Sequence, residues 1–245
     1  MRTPFGKAFR RPSFSAVRAA VRRLANPAKA KVLARFFKIG KGEYGEGDKF
    51  LGVVVPQSRA IARQFSALPL ADITQLLRSK IHEERLVALL ILVHRFEHGR
   101  PVEQNRIARF YLGSIRYINN WDLVDLSAPK ILGPYLWGKP QALLWKLVKS
   151  KNIWERRIAV LTTFEFIRRG RYTETLKLAR LLQGDDHDLM HKAVGWMLRE
   201  VGKRDVRVLE AFLRTRYRHM PRTMLRYAIE RLPEARRRAY LAGRV

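Results

Sequence analysis

The chain has 245 residues, 47% of them hydrophobic, enough to bury a sizeable core as one large domain or as a repeat array. Its 50 Lys plus Arg against 21 Asp plus Glu give a formal net charge of +29, which selects polyanions: nucleic acid first, with anionic membranes and acidic proteins as the other attracted targets. The lack of cysteine excludes a disulfide framework and a thiolate metal site, and the longest apolar run, Leu86–Val93, falls far below the roughly 20 residues that span a bilayer.

Residues 1–42 hold twelve Lys or Arg and no acid. Their first segment, Met1 to Pro12, has no apolar core of the secretory kind. It reads as a flexible basic arm over residues 1–14, an organellar transit peptide being the other reading of such a composition. A single helical domain is expected over residues 15–245. Ser15–Leu24 places Val17, Ala20, Val21 and Leu24 on one face of a helix. Gly40-Lys41-Gly42-Glu43-Tyr44-Gly45 has the glycine spacing of a dinucleotide fingerprint. It follows a helix rather than a strand and runs into Glu46-Gly47-Asp48, so it reads as a loop. Val53-Val54-Val55 is the one strand-like run, and it ends at Pro56.

From there helical periodicity continues through residues 58–65, 72–79, 83–96, 102–112, 121–132, 140–149, 153–168, 173–182, 188–201, 205–214, 221–231 and 234–241. Gly99-Arg100-Pro101, Gly133-Pro134, Gly170 and Gly184 punctuate the gaps. Short helices without a sheet make an all-α chain. The segments from Glu83, Trp154 and Leu189 each open polar and basic and then turn small and aliphatic. With the helices from Trp121 and Pro221 their starts recur about every 32 to 37 residues. Paired helices at that period predict a HEAT-like helical-repeat solenoid with a concave groove. Arg85, Arg157, Lys192 and Arg222, which open the repeats, would line the groove and face phosphates.

Three constellations carry chemistry. In Asn119-Asn120-Trp121-Asp122-Leu123-Val124-Asp125 an Asn caps a helix, and Trp121 and Asp125, four residues apart, share a face. Read structurally, they are a core anchor and an exposed acid. Read functionally, they set a carboxylate beside an aromatic plane in a chain that selects polyanions. In Asn152-Ile153-Trp154-Glu155-Arg156-Arg157, Asn152 caps a helix and Arg157 lies one turn in, one repeat after Asp125, able to pair with it, to grip a phosphate, or simply to be solvated. In Lys192-Ala193-Val194-Gly195-Trp196-Met197-Leu198-Arg199-Glu200, a helical glycine implies a close approach of another helix or a ligand, with Trp196 either core or stacking plate. His94 with His98, and His187 with His191 near Asp185, Asp186 and Asp188, have helical spacing. No HExxH accompanies them, and Asp185-Asp186 read as helix-capping acids rather than metal ligands.

Taken with Asn26-Pro27, Ala34-Arg35-Phe36-Phe37-Lys38, Lys49-Phe50-Leu51-Gly52-Val53 and Pro56, these segments resemble the HEAT-like-repeat DNA alkylation repair proteins of the AlkD type, which are alkylpurine DNA glycosylases. The resemblance runs from about Ala16 to Tyr240. It implies a catalytic carboxylate at Asp125, groove tryptophans at Trp121 and Trp196, and an active-site arginine at Arg157. It also implies excision of N3- and N7-alkylated purines without a deep base pocket, unlike most glycosylases. Phe36, Arg85, Arg156, Lys192, Arg199 and Arg222 are the expected DNA contacts. The family often has tyrosine where Phe36 stands, and an aromatic near Asp188-Leu189 that this chain lacks. The expected partner is duplex DNA carrying alkylated purines, bound by a monomer at the nucleoid in the cytoplasm, with no membrane, metal or cofactor. The competing class is a HEAT-like module that docks nucleic acid or protein without chemistry.

Overall fold

A computed structural model describes residues 12–245. Residues 1–11 of the expected basic arm lie outside the described residues, and Ser13 already caps the first helix by accepting from the Ala16 N–H. Among the described residues the fold is all-α, with one isolated bridge, Lys49 to Ile81, and no strand. The chain divides into two compact units, one ending at His98 and one spanning Gly99–Val245.

The first unit holds α1 (Phe14–Arg23), α2 (Pro27–Phe36), α3 (Val55–Gln64), α4 (Leu70–Leu77) and α5 (His82–His98). Helix α5 is its core, with every residue from Leu86 to Val93 buried beneath α1, α3 and α4. Helix α2 is absent from the periodic segments and buries none of its residues, although Ala28, Val32 and Phe36 fall four residues apart. It forms because Asn26 caps the Lys29 N–H and Pro27 fits the first helical position. Val53-Val54 is not a strand; Val55 opens α3 with Pro56 in its first turn.

The second unit holds α6 (Pro101–Gly113), α7 (Trp121–Leu136), α8 (Ala142–Leu147), α9 (Ile153–Arg168), α10 (Thr173–Leu181), α11 (Asp188–Arg204), α12 (Val206–Arg214), α13 (Arg222–Ala228) and α14 (Glu234–Leu241). Helices α7, α9, α11 and α13 pack successively on one another, while α8 and α10 lie against α9, and α10 and α12 against α11. Two glycines permit close approaches between stacked helices. A Cβ on Gly133 would sit 2.6 Å from the Glu165 Cβ, and one on Gly195 would sit 2.5 Å from the Met224 carbonyl oxygen. Gly195 therefore serves helix packing rather than ligand approach. Helix α7 runs beyond its expected end, through Pro134, because burial against α9 holds the segment helical across a residue that cannot donate.

Candidate functional site

The site is built at the start of α7. Asn120 has extended backbone, and its side-chain oxygen accepts the Trp121 N–H at 2.8 Å; buried Asp122 accepts from the Leu123 N–H. Both polar side chains satisfy orphan N–H groups that the helix leaves at its first turn. Trp121, half-buried, and Asp125 then project from one face, as their spacing requires.

Asp125 does not stand as an exposed acid. Its side chain is 12% exposed, and both its oxygens accept from Arg157 of α9, Oδ1 from Nε at 2.8 Å and Oδ2 from Nη2 at 2.8 Å. This is the bidentate fork that guanidinium geometry favours. The remaining arm of Arg157, Nη1, donates to the Leu189 carbonyl of α11 at 2.6 Å. One buried guanidinium thus joins three successive helices at the carboxylate. Burial pushes the Asp125 carboxyl above the usual carboxylate range, Arg157 pulls against it, and nearby Asp122 adds to the rise. Beneath the site, fully buried Tyr111 meets the Ser127 hydroxyl at 2.9 Å, and burial raises its phenol, with Asp125 adding to the effect.

Leu189 and Trp196 lie seven residues apart on α11, as do Arg157 and Phe164 on α9, so each pair shares a helix face. The rings of Phe164 and Trp196 meet at 6.1 Å, tilted by 43°. Trp196 is half-buried and donates its indole N–H to Glu200 at 3.2 Å. Phe164 and the Leu189 carbonyl were not singled out from sequence, and Glu200 only closed the segment from Lys192, with no role of its own. The signal for the two side chains was helical spacing from Arg157 and Trp196; a backbone carbonyl leaves none.

The expected DNA contacts fare differently. In the second unit Lys192 is 40% exposed and paired with Asp188 at 2.6 Å, and exposed Arg222 donates to the Leu241 carbonyl at 2.7 Å. Arg156 is engaged by Asp185 and by the carbonyls of Ser150 and Lys151, and Arg199 by Glu200 and Glu230. In the first unit Phe36 is 61% exposed. Arg85 departs from the expectation: it is buried, its Nη2 donating to Asp48 at 2.6 Å and its Nη1 to the Ser79 carbonyl at 2.9 Å. Its position as fourth residue of a helix buried on all sides turns it inward, away from any phosphate. Asp185 does not cap α11 either. His187 does, accepting from the Leu189 N–H, while His191 meets the Asp185 carbonyl, so both imidazoles serve the backbone. No helix among the described residues is long and apolar enough to cross a membrane.

Fold and site together define an all-α, strongly basic protein that holds one carboxylate under arginine control beside an aromatic face. A family model described as DNA alkylation repair enzyme matches residues 17–232, and the chain belongs to that family. Membership makes it one of the enzymes of DNA repair, with DNA as the substrate. A solved structure described as "Predicted DNA alkylation repair enzyme from Enterococcus faecalis" shares the fold, with a TM-score of 0.67 and 17% identity over 86% of this chain and 97% of that one. No curated protein matches.

Proposed function

We propose that the protein is an alkylpurine DNA glycosylase that removes cationic N3- and N7-alkylpurines from duplex DNA by hydrolysing the N-glycosidic bond, with no deep base-flipping pocket. The observation that carries the reading is the Asp125–Arg157 pair beside half-buried Trp121. The reading includes a HEAT-like repeat stack with a basic groove, acting as a monomer on duplex DNA in the cytoplasm, at the nucleoid.

An alkylated purine is already cationic, so it leaves with the bonding electron pair and becomes neutral without a general acid. The difficult part is the oxocarbenium-like sugar left behind. A carboxylate offers about four lone-pair positions; Arg157 takes two, and the outward ones remain for the sugar C1′ region and the attacking water. The water adds at C1′ and its proton passes to the carboxylate or to solvent, leaving an abasic sugar, the free base and one proton. A carboxyl whose pKa burial has raised is the better base for that proton, while Arg157 keeps it ionised and fixed in direction. The faces of Trp121 and Trp196 attract positive charge developing on the sugar. Exposed cations such as Arg222 grip phosphates and set register rather than sequence.

The test is release of base from matched duplexes carrying N7-methylguanine, a bulky N7 adduct and hypoxanthine. The two cationic lesions should be released and hypoxanthine should not, because its glycosidic bond is stronger and the site contributes no acid to help it leave. Efficient hypoxanthine release without bulky-adduct activity would mean an enclosed pocket. Salt-dependent binding with no release from any duplex would mean a docking module.

A further inference from the structure

Glu200 is a buried carboxylate in a basic stretch of the chain, and the chemistry above gives it no task. It is 8% exposed. Its Oε1 accepts from the Trp196 indole N–H at 3.2 Å and from Arg199 Nε and Nη2 at 3.4 and 3.3 Å; its Oε2 accepts from Lys203 at 2.7 Å. Arg199 continues to Glu230 at 2.5 Å. An ordinary surface ion pair on a helix would be exposed and would not include an indole. Here the carboxylate is out of solvent, and Trp196 is also met by Phe164 from α9 and sits next to Gly195, where α13 comes closest to α11.

Two consequences follow for the indole. Its N–H edge is occupied, so it is no donor to a phosphate or a base, and the surface it can offer to DNA is its π face. Donation to an anion also shifts electron density into the ring, which strengthens the negative potential of that face. Arg199 and Lys203 balance the carboxylates of Glu200 and Glu230, so the cluster sets no net negative charge against a polyanion.

We propose that Glu200 is a positioning residue that fixes the plane of Trp196 and polarises its face toward the positive charge that develops on the sugar, and that it thereby raises the rate of excision. The proposal rests on the glycosylase reading for its kinetic part, and on geometry alone for the Glu200–Trp196 contact.

The indole 15N–1H spectrum of the free full-length protein tests the contact. Five tryptophans give five indole signals, and Trp196→Phe identifies the one that matters. In Glu200→Ala that signal should move upfield while the others hold; an unmoved signal overturns the contact. Single-turnover release of N7-methylguanine should fall about two- to thirtyfold in Glu200→Ala, the range open to one cation–π contact. Affinity for undamaged duplex should stay level or rise, since a negative charge has gone. Glu200→Gln retains an acceptor for the indole but not the charge, and should recover part of the rate. In a Trp196→Phe background Glu200→Ala should cost nothing further, because phenyl has no N–H to hold. An additive loss there, or parallel losses of duplex binding and melting temperature in both Glu200 variants, would make Glu200 a purely structural residue. A wild-type protein that releases no base would overturn the glycosylase reading and the rate role with it, while the indole signal would still decide the contact.

Discussion

Each unit of the protein buries a carboxylate against an arginine near the start of a helix, and the two pairs are built for different ends. In the first unit Asp48 divides its oxygens, Oδ1 to Arg85 at 2.6 Å and Oδ2 to His82 at 3.1 Å, and both side chains of the Asp48–Arg85 pair are 5% exposed. His82 is stacked 4.6 Å from Phe50 and lies 4.9 Å from Phe37, so aromatic rings cover the pair. In the second unit Asp125 gives both oxygens to one guanidinium, stays 12% exposed and has half-buried Trp121 on its own face. A carboxylate whose oxygens are divided between partners and closed over can only hold structure. One that is clamped by a single guanidinium, with lone pairs to spare and some exposure left, is the better candidate for chemistry.

The comparison is broken most directly by removing each charge. Asp125→Asn keeps the shape and should lower excision about 10²–10⁴-fold while duplex binding holds or tightens, measured by single-turnover release and by titration. A mutant that excises at the wild-type rate would remove Asp125 from the reaction. Asp48→Ala should do the opposite. It strands buried Arg85, costs about 3–5 kcal/mol and lowers Tm by about 6–20 °C, yet leaves excision by the folded enzyme unchanged.

The next effect concerns pH. If the ionised form of Asp125 is the active one, rate is lost as pH falls through its folded-state pKa. Burial raises that pKa, so the loss begins above the range in which exposed aspartates protonate. Arg157→Met removes the opposing charge and should carry the acid limb to higher pH still; a limb that stays put or moves down would contradict the roles given to the pair. The smallest effect sharpens the contrast between exposed and buried cations. Arg222→Ala should flatten the slope of log affinity against log salt by about 0.9, one phosphate, whereas Arg85→Met should leave the slope alone.

Much of this was legible before any tertiary contact was known. Helix α9 spans the residues its periodicity marks, Asn120 and Asn152 cap the helices they precede, and pairing of Arg157 with Asp125 was among the options that one repeat of separation allows. Arg85 was misread because its segment opens like that of Arg157, with acids and arginine before an aliphatic run. The partner that turns it inward, Asp48, lies 37 residues upstream in a loop. Helix α2 left no segment among the periodic ones although Ala28, Val32 and Phe36 keep helical spacing, and α7 outran its stop signal because packing outweighed proline.

The sequence by itself determined what is written in local spacing and composition: an all-α chain, a net charge that seeks polyanions, caps at the helix starts, and Trp121 and Asp125 on one face. These follow from the 3.6-residue turn and from side-chain chemistry, neither of which needs a neighbour. Only the tertiary structure decided which charges are open and which are closed. Exposure, desolvation and the choice between two possible partners depend on helices far apart in the chain. The same arginine-led pattern therefore became a sealed brace in one unit and the clamp of a candidate active site in the other.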